Sequence, residues 1–235
     1  MIGGMEGLGF DLTHVYGLTE VYGPAAVCMK HDSWRQLPLD ERVRRNGRQG
    51  VRYPVQEGLT VLDPETMKPV PADGQTMGEV MFRGNIVMTG YLKNPMATAE
   101  AFAGGWFHSG DLVRMDDEGF VYVVDRKKDM IISGGENIYC AEVENALFAH
   151  PKILEAAVVG RADDRWGEVP VAIVVLNPGE ELAFDELIEF LNDHLARFKQ
   201  PKELIIIDEL PRNASGKVIK PSLRQEYGGK DAGLH

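Results

Sequence analysis

The sequence predicts an α+β protein in two parts, a mostly-β stretch followed by a compact α+β unit. Three observations predict it. Between residues 50 and 127, runs of β-branched residues are separated by Gly, Pro and Asp. Beyond "DRKKD" (125–129), apolar residues fall at helical spacing in two segments. Those segments alternate with further β-branched runs, the pattern of helices laid on a sheet.

In the first part, "GLTVLDP" (58–64), "GEVMFRG" (78–84) and "GFVYVVD" (119–125) read as strands, and "PVPADGQ" (69–75) as turn material. In the second part, "AEVENALFAH" (141–150) carries Val143, Ala146 and Leu147 on one helical face and stops before Pro151. "FDELIEFLNDHLARF" (184–198) places Leu187, Ile188, Leu191, Leu195 and Phe198 on one face, with acids opening it and Arg197 and Lys199 closing it. "EAAVVG" (155–160), "VPVAIVVL" (169–176) and "ELIIID" (203–208) read as strands around these helices. The tail 228–235 reads as frayed.

With 235 residues, 44% of them hydrophobic, the chain can bury a sizeable core. Its net charge of −11 argues against nucleic acid as a partner and against docking on anionic lipid. No apolar run is long enough to span a membrane, and residues 1–10 lack the order of a secretory signal. Two cysteines, Cys28 and Cys140, suit a reducing compartment, and a cytoplasmic protein is expected. The six histidines show no metal-binding spacing, so no zinc site is expected.

Four stretches carry chemistry. "HVYGLTEVYG" (14–23) gathers an aromatic ring, a glycine, a hydroxyl and a carboxylate from Tyr16 to Glu20. A ring stacks on a base, a hydroxyl donates to phosphate, and a carboxylate beside phosphates ligates Mg²⁺. "GGWFHSGDL" (104–112) offers Asp111 on a turn, where one carboxylate accepts from both hydroxyls of a ribose, or merely closes the turn. "VYVVDRKKDMIISGGENI" (121–138) has Arg126 at a strand end, suited to ribose or phosphate oxygens, and a Gly134–Gly135 pair that bares backbone to a thin ligand. The bland alternative for its Arg-Lys-Lys run is a solvated face. "LPRNASGKVIKP" (210–221) puts Lys217 on a loose-looking tether. That lysine is a surface cation, a neighbour of a sequon at Asn213, or a charge carried into a site. Without a secretory route the sequon is set aside.

Together, "YGLTE", "GEVMFRG", "GYLKNP", "WFHSGDL", "DRKKDMIISGGENIYCAEVE" and "PRNASGKVIK" resemble, in order and spacing, the adenylate-forming superfamily of acyl-CoA synthetases, adenylation domains and firefly-type luciferases. The resemblance runs over residues 12–226. It implies that 1–127 is the β-rich end of the large AMP-binding N-domain, 128–227 the mobile C-terminal domain, and 228–235 a tail. It implies ATP and Mg²⁺ as cofactors, CoA as co-substrate and a small carboxylic acid as the partner to be activated, with a homo-oligomer left open.

Carried onto this chain, the resemblance gives Tyr16 the adenine, Thr19 the phosphate, Glu20 the Mg²⁺, and Asp111 and Arg126 the ribose. Lys217 bridges the attacking carboxylate and the nucleotide, so the catalytic set is Lys217, Glu20 and Thr19. Lys128 is the hinge about which the C-terminal domain turns, and Gly134, Gly135 and Glu136 then line the CoA channel. Val21, Tyr22 and Pro24 would border the acyl chain. "YGLTEVYGP", "RQGVRY" and "FRGNIVMTGYLKNP" resemble a branch acting on short- to medium-chain acids, among plant-type acyl-activating enzymes and methylmercaptopropionate ligases.

One feature departs from the family. Its glycine-rich phosphate loop has no counterpart here, and the sequence opens just before "YGLTE". The expectation is therefore a portion of an AMP-forming acyl-CoA ligase that is inactive alone. The alternatives are an adenylation domain loading a carrier protein and a non-catalytic nucleotide- or CoA-binding module.

Overall fold

A computed structural model describes residues 2–229, which divide into two compact units at Val124/Asp125. The frayed tail expected over 228–235 lies outside the described residues from 230 onward.

The first unit contains α1 (Ile2–Gly7), β1 (Val15–Leu18), β2 (Gly23–Val27), α2 (Leu39–Asn46), β3 (Val51–Arg52), β4 (Gly58–Leu62), β5 (Met77–Arg83), α3 (Pro95–Ala101), β6 (Phe107–Met115) and β7 (Val121–Arg126), the last running on into the second unit. β1, β2 and β3 form one sheet, and β4 to β7 a second with its strands in sequence order. The strands expected at 58–64, 78–84 and 119–125 are β4, β5 and β7. Ala25 and Ala26 of the first sheet, with Val21 from the turn between β1 and β2, share one core cluster with Val80, Phe82, Phe107 and Val121 of the second. Full burial of each such large apolar side chain contributes roughly 1.5–3 kcal/mol.

The second unit contains β8 (Ile131–Ser133), β9 (Glu136–Ile138), α4 (Cys140–Phe148), β10 (Ile153–Asp163), β11 (Gly167–Leu176), α5 (Phe184–Leu191), β12 (Glu203–Ile206) and α6 (Lys220–Tyr227). Its five-stranded sheet runs β10–β11–β8–β9, with β12 parallel to β11. The sheet is covered on both faces. Ala156, Val158, Ala172 and Val174 pack with α4 and α5 through Val143, Leu147, Leu187 and Leu191. Ala157, Val159, Val171 and Ile173 pack with Leu210 and with Leu223 of α6. This explains why "VPVAIVVL" is continuously apolar rather than alternating.

α5 is shorter than its periodicity suggests, ending at Leu191. The Leu191 carbonyl takes N–H groups from both His194 and Leu195, which tightens the last turn. The Gln200 amide then donates to Asn192 Oδ1 at 3.1 Å and closes the segment sideways. Leu195 remains buried while Phe198 is left half-exposed.

Candidate functional site

Tyr16 sits in β1 immediately before Gly17, where the pairing with β2 shifts register. A Cβ on Gly17 would lie 1.8 Å from the Gly23 carbonyl oxygen, so only glycine allows this approach. The Tyr16 ring packs on the core near Phe82, 6.2 Å between centroids. Its hydroxyl donates to Asp111 Oδ2 at 2.5 Å. Two motifs 95 residues apart thus meet directly.

The stretch around Asp111 reads as a turn, but Asp111 lies within β6 at a bulge. Glu79 pairs with Leu112 and Met81 with His108, so residues 109–111 oppose Val80 alone. A bulge re-aims the side chains it carries. Here a buried carboxylate holds it: Glu79, 1% exposed, accepts the Gly110 N–H at 2.9 Å and faces His108 Nδ1 at 3.1 Å. Ser109 Oγ donates to the Val80 carbonyl at 2.5 Å and accepts the Asp111 N–H at 3.1 Å. Sequence reasoning missed Glu79 and His108. The one signal was a carboxylate inside an otherwise apolar strand.

Thr19 and Glu20 occupy a single 3₁₀ turn, Thr19–Val21, anchored by buried Val21. Tyr22 closes it in the left-handed conformation, φ 59°, its N–H donating to the Thr19 carbonyl. The Glu20 carbonyl accepts from Met88 N at 2.7 Å, and its carboxylate from Tyr91 Oη at 3.3 Å. The "GYLKNP" segment is thereby seated against Glu20. Among the described residues no three His, Cys, Asp or Glu side chains group as a metal site. A single carboxylate fits Mg²⁺, which takes most of its ligands from phosphate oxygens and water.

The remaining candidates belong to the second unit. Arg126 is exposed at the end of β7, and its carbonyl accepts from Met130 N across the turn Lys127–Asp129. Lys128, exposed in that turn, has its carbonyl bonded by Arg224 Nη2 at 3.3 Å, while the same nitrogen reaches Asp129 Oδ1 at 2.8 Å. Gly134 and Gly135 form the two-residue turn of the β8–β9 hairpin, with φ of 61° and 86°. Positive φ at both positions is the primed turn that glycine favours. Gly134 N donates to the Trp166 carbonyl at 2.7 Å, and a Cβ there would lie 2.7 Å from the Trp166 ring. Trp166, over which the Arg165 guanidinium lies, was not legible as a neighbour of the pair. Glu136 opens β9 and is exposed.

The tether of Lys217 is not loose. Asn213 Oδ1 accepts from Ser215 N, Ser215 Oγ and Lys217 N at 3.0, 2.8 and 2.9 Å. Asn213 N donates to the Lys217 carbonyl, Arg212 bridges to Val218, and Arg212 also pairs with Glu155 at 2.8 Å. An asparagine side chain that substitutes for backbone bonds makes an ordered turn out of a sequence without periodicity. Lys217 itself is exposed at its end.

Beneath these turns lies a partly buried ionic group. Lys220 Nζ meets Glu144 Oε1 at 2.7 Å, near Asp125, Asp129 and Cys140. Burial raises the pKa values of Glu144, Asp125 and the Cys140 thiol. For Lys220 burial pulls the pKa down, but the neighbouring acidic groups, Glu144 and Asp129 among them, outweigh it, and its ammonium is held above the usual value.

Residues 5–92 match the family model of the AMP-binding enzymes, and residues 142–217 that of the AMP-binding enzyme C-terminal domain. An acetate–CoA ligase of Humulus lupulus is 50% identical over 225 residues, covering 94% of this chain and 39% of the relative. A peroxisomal acetate/butyrate–CoA ligase of Arabidopsis thaliana is 49% identical over 226 residues, with the same coverages. Among solved structures, o-succinylbenzoate CoA synthetase of Bacillus subtilis in complex with its acyl-adenylate intermediate is similar at a TM-score of 0.81 and 34% identity, over 97% of this chain and 44% of that one. The chain spans about two fifths of the length of the curated relatives it matches.

Proposed function

The chain belongs to the AMP-binding, adenylate-forming enzymes, and from that premise we propose that it forms part of an AMP-forming acyl-CoA ligase. In that reaction a carboxylate oxygen attacks the α-phosphorus of ATP and the bond to the β-phosphate breaks, releasing pyrophosphate. The CoA sulfur then attacks the acyl carbon, and AMP leaves as the thioester forms.

The observation that carries this reading is the Tyr16–Asp111 hydrogen bond. It joins an aromatic ring suited to adenine and a carboxylate suited to ribose hydroxyls into one nucleoside-sized element. In this reading Thr19 meets phosphate, Arg126 the ribose, and Glu20 contributes the protein ligand to Mg²⁺. Bound Mg²⁺ neutralises phosphate charge. Lys217 places an ammonium between two anions that must approach each other, the electrostatic stabilisation that adenylation needs most. We keep the functional boundary at 127/128, with Lys128 as the hinge and Gly134, Gly135 and Glu136 at the CoA channel.

The relatives favour short acids such as acetate or butyrate as the substrate class. Both thiols are buried, and no helix among the described residues is long and apolar enough to cross a membrane. The cytoplasm suits these features, as does the peroxisomal setting that the Arabidopsis relative's name carries.

The test is a chimera in which this chain replaces the matching two fifths of the Humulus lupulus ligase. ATP–pyrophosphate exchange is then measured with Mg²⁺ and acids of increasing length. Exchange with short acids is expected. A folded chimera that binds AMP yet exchanges no pyrophosphate with any acid would refute the ligase reading and leave a nucleotide-binding module.

A further inference from the structure

Resting on the reading of Lys128 as hinge and Lys217 as the adenylating lysine, we propose that α6 is a strut coupling the hinge turn to the Lys217 turn, with Arg224 as its positioning residue. α6 starts at Lys220, three residues after Lys217, and is fixed along its length. Lys220 is tied to Glu144 of α4 at 2.7 Å. Leu223, 1% exposed, is packed into the cluster with Val159 and Leu210. The carbonyl of Gly228, just past the helix, accepts from Ala162 N of β10 at 3.2 Å.

One end of this fixed rod holds the Lys217 turn: Ile219 N donates to the Pro211 carbonyl at 2.8 Å, across the base of that turn. One helical turn along, Arg224 Nη2 serves the Lys128 carbonyl at 3.3 Å and Asp129 Oδ1 at 2.8 Å. The hinge turn is gripped from its other side as well. Cys140 Sγ donates to the Asp129 carbonyl at 2.8 Å, and the Asp125 carboxylate accepts the Arg126 N–H at 2.8 Å. A guanidinium satisfies a carbonyl and a carboxylate together, which an ammonium on a flexible stem does less well. Backbone change at residue 128 is therefore transmitted through Arg224 to the helix that starts three residues beyond Lys217, so hinge and lysine move as one body. This also gives the partly buried ion pair a purpose, since Lys220 and Glu144 keep the rod from sliding.

The experiment is amide hydrogen exchange on the full 235-residue chain, comparing the unmodified protein with Arg224→Gln and Arg224→Lys. Arg224→Gln should accelerate exchange about tenfold or more at Met130, whose N–H closes the hinge turn, and also at Asn213 and Lys217. The β10–β11 amides of Val158 and Val171 should keep their rates. Arg224→Lys should give an intermediate acceleration at the same positions. Acceleration at Met130 alone, at neither turn, or uniformly through β10 and β11 overturns the strut. Should Arg224→Gln fail to fold, Asp129→Ala removes the carboxylate that Arg224 Nη2 reaches and is judged by the same pattern. The readout needs no turnover. A coupled pattern without pyrophosphate exchange in the chimera would count against the ligase reading alone, and the converse against the strut alone.

Discussion

Asp111 and Lys217 are both candidate nucleotide ligands in short Ser-Gly motifs, yet the chain secures them differently. Asp111 is 7% exposed, inside a strand bulge whose shape depends on Glu79, distant in sequence and buried. Lys217 is exposed on a turn whose centre is bonded chiefly through Asn213, four residues away, with Arg212 reaching the Gly216 carbonyl. On the proposed reading, a carboxylate that meets the ribose benefits from a support that never changes. On the same reading, a lysine required in one half-reaction needs a turn that stays intact while its unit moves. Buried, long-range support serves the first need, and a locally bonded turn carried at the end of α6 serves the second.

The largest effect that would test this contrast is on chemistry. Lys217→Ala in the chimera should lower adenylate formation about 10²–10³-fold while sparing thioester formation from supplied acyl-AMP. Equal loss of both half-reactions, measured separately, would break the assignment. Next comes Glu79→Ala, which leaves the Gly110 N–H and His108 without their buried partner. It should destabilise the protein by about 1–3 kcal/mol in urea denaturation and weaken AMP binding. Unchanged affinity would show that the bulge holds itself.

Asn213→Ala should cost about 1 kcal/mol or less in overall stability, because the bonds it removes are exposed, but should lower adenylation more than AMP affinity. Similar losses in both would mean that the turn is not a local device. The smallest effect is one of pH. Asp73 uses the same device in the first unit, accepting Gln75 N at 2.8 Å, Thr76 N at 2.7 Å and Thr76 Oγ1 at 2.7 Å. These bonds depress its pKa from 3.8 to about 2. A depressed carboxylate stabilises the fold above pH 3.8, and that contribution is lost as pH falls toward 2. Melting temperatures from pH 5 to 2 should fall less steeply in Asp73→Asn than in the unmodified protein. Parallel curves would remove Asp73 from the account.

What the sequence disclosed follows the reach of each interaction. β4, β5, β7, β10 and β11 were legible because a strand's apolar run is written in consecutive residues. The Tyr16–Asp111 pair was legible only as two motifs whose juxtaposition the family resemblance implied. The bulge at 109–111 was not, because its cause is Glu79 on the neighbouring strand. The order of the Lys217 turn was hidden differently: Asn213 reads as a sequon or a generic turn former, and nothing in the string shows its oxygen collecting three donors. Arg224 lies 96 residues from Lys128, and no local pattern links them. α5 ended early because Gln200 reached back to Asn192, again a contact no periodicity contains.

The sheet buried on both faces has a consequence for how the second unit reaches its native pairing. A strand with one wet face reports a one-residue slip at once, by turning its apolar side chains to solvent. β10 and β11 lack that alarm through 156–159 and 171–174, where both sides are apolar. Fidelity must then come from the connection, where Asp163 Oδ1 captures the N–H groups of Arg165 and Trp166, both at 2.9 Å, before Gly167 pairs back with Asp163. Misregistered and aggregation-prone hairpins are thus held off by a few surface residues of the loop rather than by the long apolar strands it joins.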